Sequence, residues 1–264
     1  MNNNKTLTRR NFAALGTVAA LGLAAEAKTD RNAPETDIVY KPATPSKAAD
    51  YAYKLYSDGG CMYATVKSIL TMCAAKPVPM HYDMFKYGHG GCGGQGSLCG
   101  ACNGTAAAIA FFVKDKKECD ALVAKVFRWY ETTQLPLYGT AIGGKDNVTS
   151  TSDSTLCHVS MTKWCKTAGK SPISAERKDR CARLTADTTQ KTVELLNEHF
   201  SGSKTTEVPS EKQTSCTKCH TVNTQPENLS EVPKVKVKMS CNTCHADPHR
   251  HPKLPVTMPE HQSR

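Results

Sequence analysis

The stretch CMYATVKSILTMCAA at residues 61–75 decides the fold class of the chain. Its apolar residues Met62, Val66 and Ile69 recur at spacings of four and three, as they do on one face of an α-helix. Pro77 follows shortly afterwards and ends the pattern, because a proline cannot continue a helix. The stretch therefore predicts a helix over these residues.

Helical patterns return along the following part of the chain. The remaining predicted helices span residues 105–113, 116–131, 155–168 and 175–200. Leu122, Val126 and Trp129 form an apolar stripe on the second of these, and Gly169 follows the third as a stop signal. Little of the sequence alternates as strands do, so the predicted fold class is mainly α.

Two segments beside the first helix have unusual composition. Residues 28–60 contain Pro34, Pro42 and Pro45, and we expect them to open with an extended arm. Residues 88–104 hold eight of the 17 glycines, which predicts positive φ angles and a close backbone approach to a cofactor. The GxGxxG pattern inside this run is a weak indication of nucleotide binding, because no apolar strand precedes it.

Residues 1–27 have the features of an export signal. Lys5, Arg9 and Arg10 precede a weakly apolar run, and the string TRRNF at residues 8–12 favours the twin-arginine route over an ordinary secretory signal. The chain carries a formal charge of +10, and no apolar run is long enough for a multispanning membrane protein. We therefore expect a basic periplasmic protein without a membrane span.

The composition changes after residue 200. Residues 201–215 are polar and predict a linker, and residues 201–264 hold seven of the 14 prolines. A segment of this kind lacks an amphipathic helix with which to build a core, so another group must supply the apolar mass. The predicted organisation is a helical cysteine-rich domain at 28–200, the linker at 201–215 and an irregular di-haem segment at 216–264.

The haem assignment depends on two CxxCH motifs, CTKCH at residues 216–220 and CNTCH at residues 241–245. This spacing places two thiols where they can add to the vinyl groups of a haem, and the adjacent histidine reaches the iron. Zinc bound by two CxxC pairs is the alternative, but a histidine after both pairs, behind an export signal, favours haem. We predict two covalent c-type haems held by Cys216, Cys219, Cys241 and Cys244, with His220 and His245 as axial ligands.

The sixth iron ligands have several candidates. The seven other histidines favour bis-histidine iron, which is typical of electron transfer, over ligation by Met239 or Met258. The short tether after His245 makes it hard for His249 to reach the opposite face of the same iron. The candidate sixth ligands are His249, His251, His199 and His261.

Nine of the 13 cysteines remain, all in the helical domain. An odd number cannot be paired completely, so the alternatives are disulfides with a leftover thiol, a thiolate-bound iron–sulfur cluster, or buried structural thiols. Cys73 would point about 120° away from Cys61 on a helix and is predicted to be a packing residue. Cys157 and Cys165 are eight residues apart and would lie on neighbouring rows of one helix face.

Several of these cysteines lie in stretches that resemble a family of redox-active proteins with a CGAxxG motif and four characteristic cysteines. The stretches are GCMYA at 60–64, the glycine-rich run, CGACNG at 99–104, LCHV at 156–159 and RCARL at 180–184. With the two CxxCH motifs and the export signal, the whole chain resembles the split-Soret cytochromes c of sulfate-reducing bacteria.

The resemblance implies a homodimer with two closely stacked bis-histidine haems per subunit, one axial histidine coming from the partner. It also implies an iron–sulfur cluster, with a 2Fe-2S type favoured, in the helical domain. By position, its ligands would be Cys61, Cys99, Cys157 and Cys181. The alternates are Cys165, Cys102 and Cys119.

The predicted function is single-electron transfer in anaerobic respiration, between redox protein partners and without a catalytic residue. The alternatives are a small haem reductase acting on nitrite or a similar oxyanion at an open iron position, and a thiol-based redox sensor. Nucleic-acid binding is not expected, because no basic run is interleaved with aromatic residues and the chain carries an export signal.

Overall fold

The computed structural model describes residues 38–139 and 147–202. Five α-helices dominate this part of the chain, together with one 3-10 helix and a two-stranded antiparallel ladder. In chain order the elements are α1 (Pro45–Cys73), the 3-10 helix (Tyr82–Gly88), α2 (Gly100–Phe112), α3 (Lys116–Thr132), β1 (Gln134–Leu135), β2 (Ser150–Thr151), α4 (Cys157–Ala168) and α5 (Ala175–Phe200). The mainly α prediction is confirmed.

The core lies where α1 packs along α5, with α2 against both. Ile69, Ile109, Val126 and Leu196 are fully buried there, one from each of α1, α2, α3 and α5. Each comes from a helix face that repeats apolar residues at helical spacing. These buried faces hold the helices together, and the helices that carry cysteines pack on this core or beside it.

Helix α1 is longer than predicted, and it takes in residues 45–60, the second half of the segment that we expected to open with an extended arm. The helix begins at Pro45, which is tolerated in the first turn because that turn needs no hydrogen bond from its nitrogen. Ala48, Ala49 and Ala52 are fully buried and let this part of the helix pack closely. Alanines give only a weak apolar signal, which explains why the pattern was missed.

The other helices match their predicted positions closely. Helix α2 begins at Gly100, five residues before its predicted start, and α5 ends at Phe200 as predicted. Gly169 closes α4 in the left-handed conformation, with φ of 63°. On α3 the buried stripe contains Leu122 and Val126 as expected, but it continues with Tyr130 in place of the half-buried Trp129.

Strand structure is minor in the described part of the chain. Leu135 pairs with Ser150, and Gln134 with Thr151. None of the helices in residues 38–139 and 147–202 is both long and apolar enough to cross a membrane. The export signal, nearly all of the linker and the di-haem segment lie outside the described residues, so the domain boundaries predicted there stay predictions.

Candidate functional site

A second buried cluster lies beside the main core and contains the cysteines of interest. Cys61, Cys99 and Cys102 are buried in it with Tyr130, and Cys157 packs against it from α4. Cys181 on α5 is related to this group by its electrostatic effect on Cys61 and Cys157 and by Arg180, whose guanidinium is 3.9 Å from the Cys181 sulfur. Residues up to 120 positions apart in the sequence are thereby brought to one place by the packing of four helices.

Cys61 owes its position to a break inside α1. Gly60 has φ of 79° and ψ of −172°, a conformation that essentially only glycine adopts, so the helix stops and restarts at this point. Cys61 therefore lies in the first turn of the second helical piece. Its thiol is 3.9 Å from the carbonyl oxygen of Gly88, and the backbone N–H of Gly90 also points at the sulfur.

Cys99 and Cys157 are placed together by a short backbone pairing. Leu98 and Leu156 form an antiparallel bridge, the Cys99 amide donates to the Thr155 carbonyl at 2.8 Å, and the Cys157 amide donates to the Ser97 carbonyl at 2.7 Å. Cys99 is the N-cap of α2, and Cys157 is the first residue of α4. The bridge thus brings two helix N-termini side by side.

Three of the four cysteines therefore lie at helix N-termini. The free N–H groups and the helix dipole give such positions a partial positive charge, which stabilises an anion. The fourth cysteine, Cys181, lies within α5, where the guanidinium of Arg180 is 3.9 Å from its sulfur. Partial or full positive charge therefore lies beside each of the four cysteines.

The thiols influence one another strongly. Burial raises the pKa of Cys61 far above its ordinary value, and the neighbouring thiolates of Cys99, Cys181 and Cys157 raise it further. Burial likewise raises the pKa of Cys157 to about 12, again with contributions from Cys99 and Cys181. Such mutual effects act between charges that lie near one another in a poorly screened interior.

Cys99 is the cysteine of this group whose pKa is lowered. A hydrogen bond from Cys102 is the main cause that lowers the pKa of Cys99 to about 6, and the Ala101 amide, which donates to the same sulfur, and the Arg180 guanidinium lower it further. Burial raises the pKa of Cys102 well above its ordinary value, so Cys102 remains the proton donor of this pair. Hydrogen bonds donated by neighbouring groups thus stabilise a thiolate at Cys99, as a metal ligand requires.

The donor set fits an iron–sulfur cluster in its chemistry. Thiolates are the ligands that such clusters use, and a cluster takes them on different irons, so they need not meet at one point. Within residues 38–139 and 147–202, no three or more His, Cys, Asp or Glu side chains form a ready site for a single metal ion.

The alternate ligands occupy different places. Cys102 adjoins Cys99, and Cys165 is buried on α4, where the Cys181 thiolate raises its pKa after the larger effect of burial. Cys119 packs against the main core on α3, away from the group. Cys73 is fully buried in that core, which confirms its predicted packing role, and Cys92 is exposed in the glycine-rich loop.

The predicted haem residues lie almost entirely outside the described residues. This holds for both CxxCH motifs, their histidines, and the candidates His249, His251 and His261. His199 is described, at the end of α5, with Nε2 3.7 Å from a Glu118 carboxylate oxygen and its ring edge against Phe200. Its assignment as a sixth ligand stays a prediction.

Comparison with known proteins places this site in a family. A match to the family described as "Putative redox-active protein (C_GCAxxG_C_C)" covers residues 61–195. Split-Soret cytochrome c of Desulfovibrio desulfuricans (strain ATCC 27774 / DSM 6949 / MB) is 34% identical over 215 residues, which is 76% of this chain and 75% of the relative. The chain belongs to the split-Soret cytochrome c family.

A solved structure agrees with this membership. It is described as "A novel iron centre in the split-Soret cytochrome c from Desulfovibrio desulfuricans ATCC 27774". It shares 31% identity and a TM-score of 0.69 with this chain, and the match covers 83% of this chain and 94% of that one. The resemblance seen in the sequence is thereby confirmed, and both split-Soret relatives are, by name, cytochromes c.

Sequence reasoning missed the polar side chains that surround the cysteines of this split-Soret family member. Tyr130 donates a hydrogen bond to Ser160 at 2.9 Å, and Arg180 donates to the same hydroxyl oxygen at 2.8 Å. All three are at most 2% exposed. The only sequence signal was that Arg180 directly precedes a motif cysteine, and an arginine in a helix ordinarily indicates a surface position.

Proposed function

We propose that this chain is a periplasmic multihaem c-type cytochrome with an iron–sulfur cluster, acting in single-electron transfer in anaerobic respiration. The observation that carries the proposal is the four-cysteine group, three of whose members lie at helix N-termini, in a chain that also has two CxxCH motifs. Two kinds of one-electron centre in one chain suit a carrier that passes electrons between redox proteins.

The haems would be held by the final segment. Cys216 and Cys219 would attach one haem and Cys241 and Cys244 the other, with His220 and His245 as proximal ligands. Membership of a family of cytochromes c supports this proposal. Histidine on both sides of each iron leaves no position for a substrate, which favours electron transfer over an oxyanion reductase.

The cluster would be held by the thiolates of Cys61, Cys99, Cys157 and Cys181. When bound, the group accepts and releases one electron at a time without a proton or a substrate. The chain's contribution is to bury it: Cys61 and Cys99 are 9% and 5% exposed, so water reaches these sulfurs poorly. The hydrogen bonds to Cys99 would hold that thiolate in place while the charge of the centre changes.

The location and assembly belong to the same proposal. The TRRNF string supports export by the twin-arginine route, and the attachment of haem c outside the cytoplasm requires export. The resemblance supports a homodimer in which each subunit gives an axial histidine to its partner. The basic charge of the chain would favour acidic redox partners.

The test is a spectroscopic redox titration of full-length protein purified without oxygen. We expect low-spin haem spectra that do not change with carbon monoxide or cyanide, together with a separate paramagnetic signal from non-haem iron. A haem that binds either ligand would contradict the electron-carrier function and favour the reductase. Reversible thiol titration without non-haem iron would contradict the cluster.

A further inference from the structure

A buried cation without a carboxylate partner faces the four-cysteine group. Arg180 is 2% exposed, and its Nε has no hydrogen-bond partner. One terminal nitrogen lies 3.9 Å from Cys181 Sγ, and the other donates to Ser160 Oγ at 2.8 Å. Among residues 38–139 and 147–202, no Asp or Glu forms an ion pair with it. A buried guanidinium of this kind is costly unless negative charge stands close by.

Sulfur supplies the negative charge in contact with Arg180; the Asp187 carboxylate, on whose pKa Arg180 has a lowering effect, is a further anion that forms no ion pair with it. Cys181 Sγ is 3.9 Å from the guanidinium, and negative charge on the Cys181 and Cys99 sulfurs favours the buried cation. Arg180 in turn lowers the pKa of Cys99 and of Cys157. The guanidinium thus belongs electrostatically to the cysteine group and not to the surface.

The guanidinium is also held in one orientation. Ser160 Oγ accepts from Arg180 and from the Tyr130 hydroxyl, at 2.8 and 2.9 Å. Ser160 and Tyr130 are each 1% exposed, so water does not readily replace either side chain in these hydrogen bonds. A charge fixed in this way costs no rearrangement when the electron count of a neighbouring centre changes.

We propose that Arg180 is a positioning residue of the iron–sulfur centre, which supplies the internal counter-charge that raises its reduction potential and orients Cys181. The inference rests on the proposed function, since it needs the centre to be present. An added electron makes the centre more negative, and a fixed cation within a few ångströms stabilises the reduced form more than the oxidised one. Net charge and hydrogen bonds to the sulfurs are established determinants of cluster potential.

The test compares the midpoint potential of the non-haem iron signal in wild-type, Arg180→Met and Arg180→Lys full-length protein, purified without oxygen. In Arg180→Met we expect a lower midpoint potential. At the wild-type midpoint, the ratio of oxidised to reduced centre should rise at least about tenfold, which corresponds to a midpoint lower by about 59 mV for one electron. Arg180→Lys keeps the charge and should shift the midpoint less.

Arg183→Met is the matched control. Arg183 lies one helical turn further along α5, is also 2% exposed, and donates to the backbone oxygens of Tyr138 and Gly139 instead of to a cysteine. Its removal should leave the midpoint unchanged. An equal shift in Arg183→Met, or a wild-type midpoint in Arg180→Met with full iron content, would overturn the inference.

If Arg180→Met does not retain its iron, the midpoint potential is measured in Ser160→Ala instead. This variant keeps the charge but removes the anchor, so a smaller shift to lower potential supports the inference and an unchanged midpoint overturns it. Wild-type protein without non-haem iron and sulfide would instead refute the proposed function, which separates the two failures.

Discussion

Cysteine side chains of the helical domain occupy two different surroundings. Cys73 is enclosed by the apolar side chains of the main core, where it is a small hydrophobic residue. Cys61 and Cys99 are buried too, but they are near other sulfurs, backbone N–H groups and, for Cys99, an arginine. Burial alone therefore does not distinguish a structural thiol from a ligand; the neighbouring charges do.

Exchanging single cysteines for serine should separate these surroundings. We expect Cys61→Ser to lower the non-haem iron content of the purified chain by at least about tenfold, because loss of a ligand costs at least as much as loss of a residue behind it. Cys73→Ser should keep its iron and lose about 1–2 kcal/mol of stability. Iron analysis and denaturant unfolding measure the two effects, and equal iron loss in both variants would contradict the assignment.

Asp187 gives a prediction about pH. Burial raises its pKa to about 6, although its carboxylate accepts a hydrogen bond from the Leu137 amide at 2.7 Å. A carboxyl group with a raised pKa binds its proton more tightly in the folded state, so stability falls as pH rises from about 4 to about 6. Asp187→Asn should remove this loss, on the order of 2–3 kcal/mol.

The measurement is the free energy of unfolding of both proteins between pH 4 and pH 7. The asparagine keeps a side-chain oxygen for the Leu137 amide, so the comparison isolates the charge. If the free energy of unfolding changed with pH in the same way in both proteins, the raised pKa of Asp187 would be contradicted.

At the scale of elements, helix ends shape the site. The break at Gly60 and the pairing of Leu98 with Leu156 place three helix N-termini at the cluster that contains Cys61, Cys99 and Cys157. Gly100 allows the closest of these approaches: a Cβ there would lie 2.3 Å from Cys61 Sγ and 2.3 Å from the Gly88 oxygen. No side chain fits into such a space without moving α1 or the 3-10 helix.

Gly100→Ala should therefore damage the site without removing a thiol. We expect a loss of about 1–3 kcal/mol of stability from overpacking, together with a lower non-haem iron content. Gly93→Ala is the control, since a Cβ there meets nothing within 4 Å and only its positive φ, 60°, costs about 1 kcal/mol. If Gly100→Ala retained the iron content of Gly93→Ala, the close approach would not matter for the centre.

The sequence predicted the helices better than their arrangement. Helix α5 was predicted at its observed bounds because its stop signal, Ser201-Gly202, follows a long amphipathic pattern. The first half of α1 was missed because alanines make its buried face. The grouping of Cys61, Cys99 and Cys157 follows from packing between distant segments, which no local pattern encodes, and the sequence pointed to it only through the family resemblance.

At the scale of the whole molecule, the described helical domain builds its core from its own side chains. A chain that ends at residue 202 should therefore fold, with the far-UV circular dichroism of a helical protein, and should hold non-haem iron but no haem. An unfolded truncated chain would contradict the domain division and would mean that the haem segment is needed for the core.

Chemical analysis of the full-length protein, purified without oxygen, tests the central claim most directly. The quantities are haem, non-haem iron and acid-labile sulfide per chain. The account predicts two haems, with two non-haem irons and two sulfides for a 2Fe-2S centre. A total iron content that equals the haem content, with no acid-labile sulfide, would contradict it.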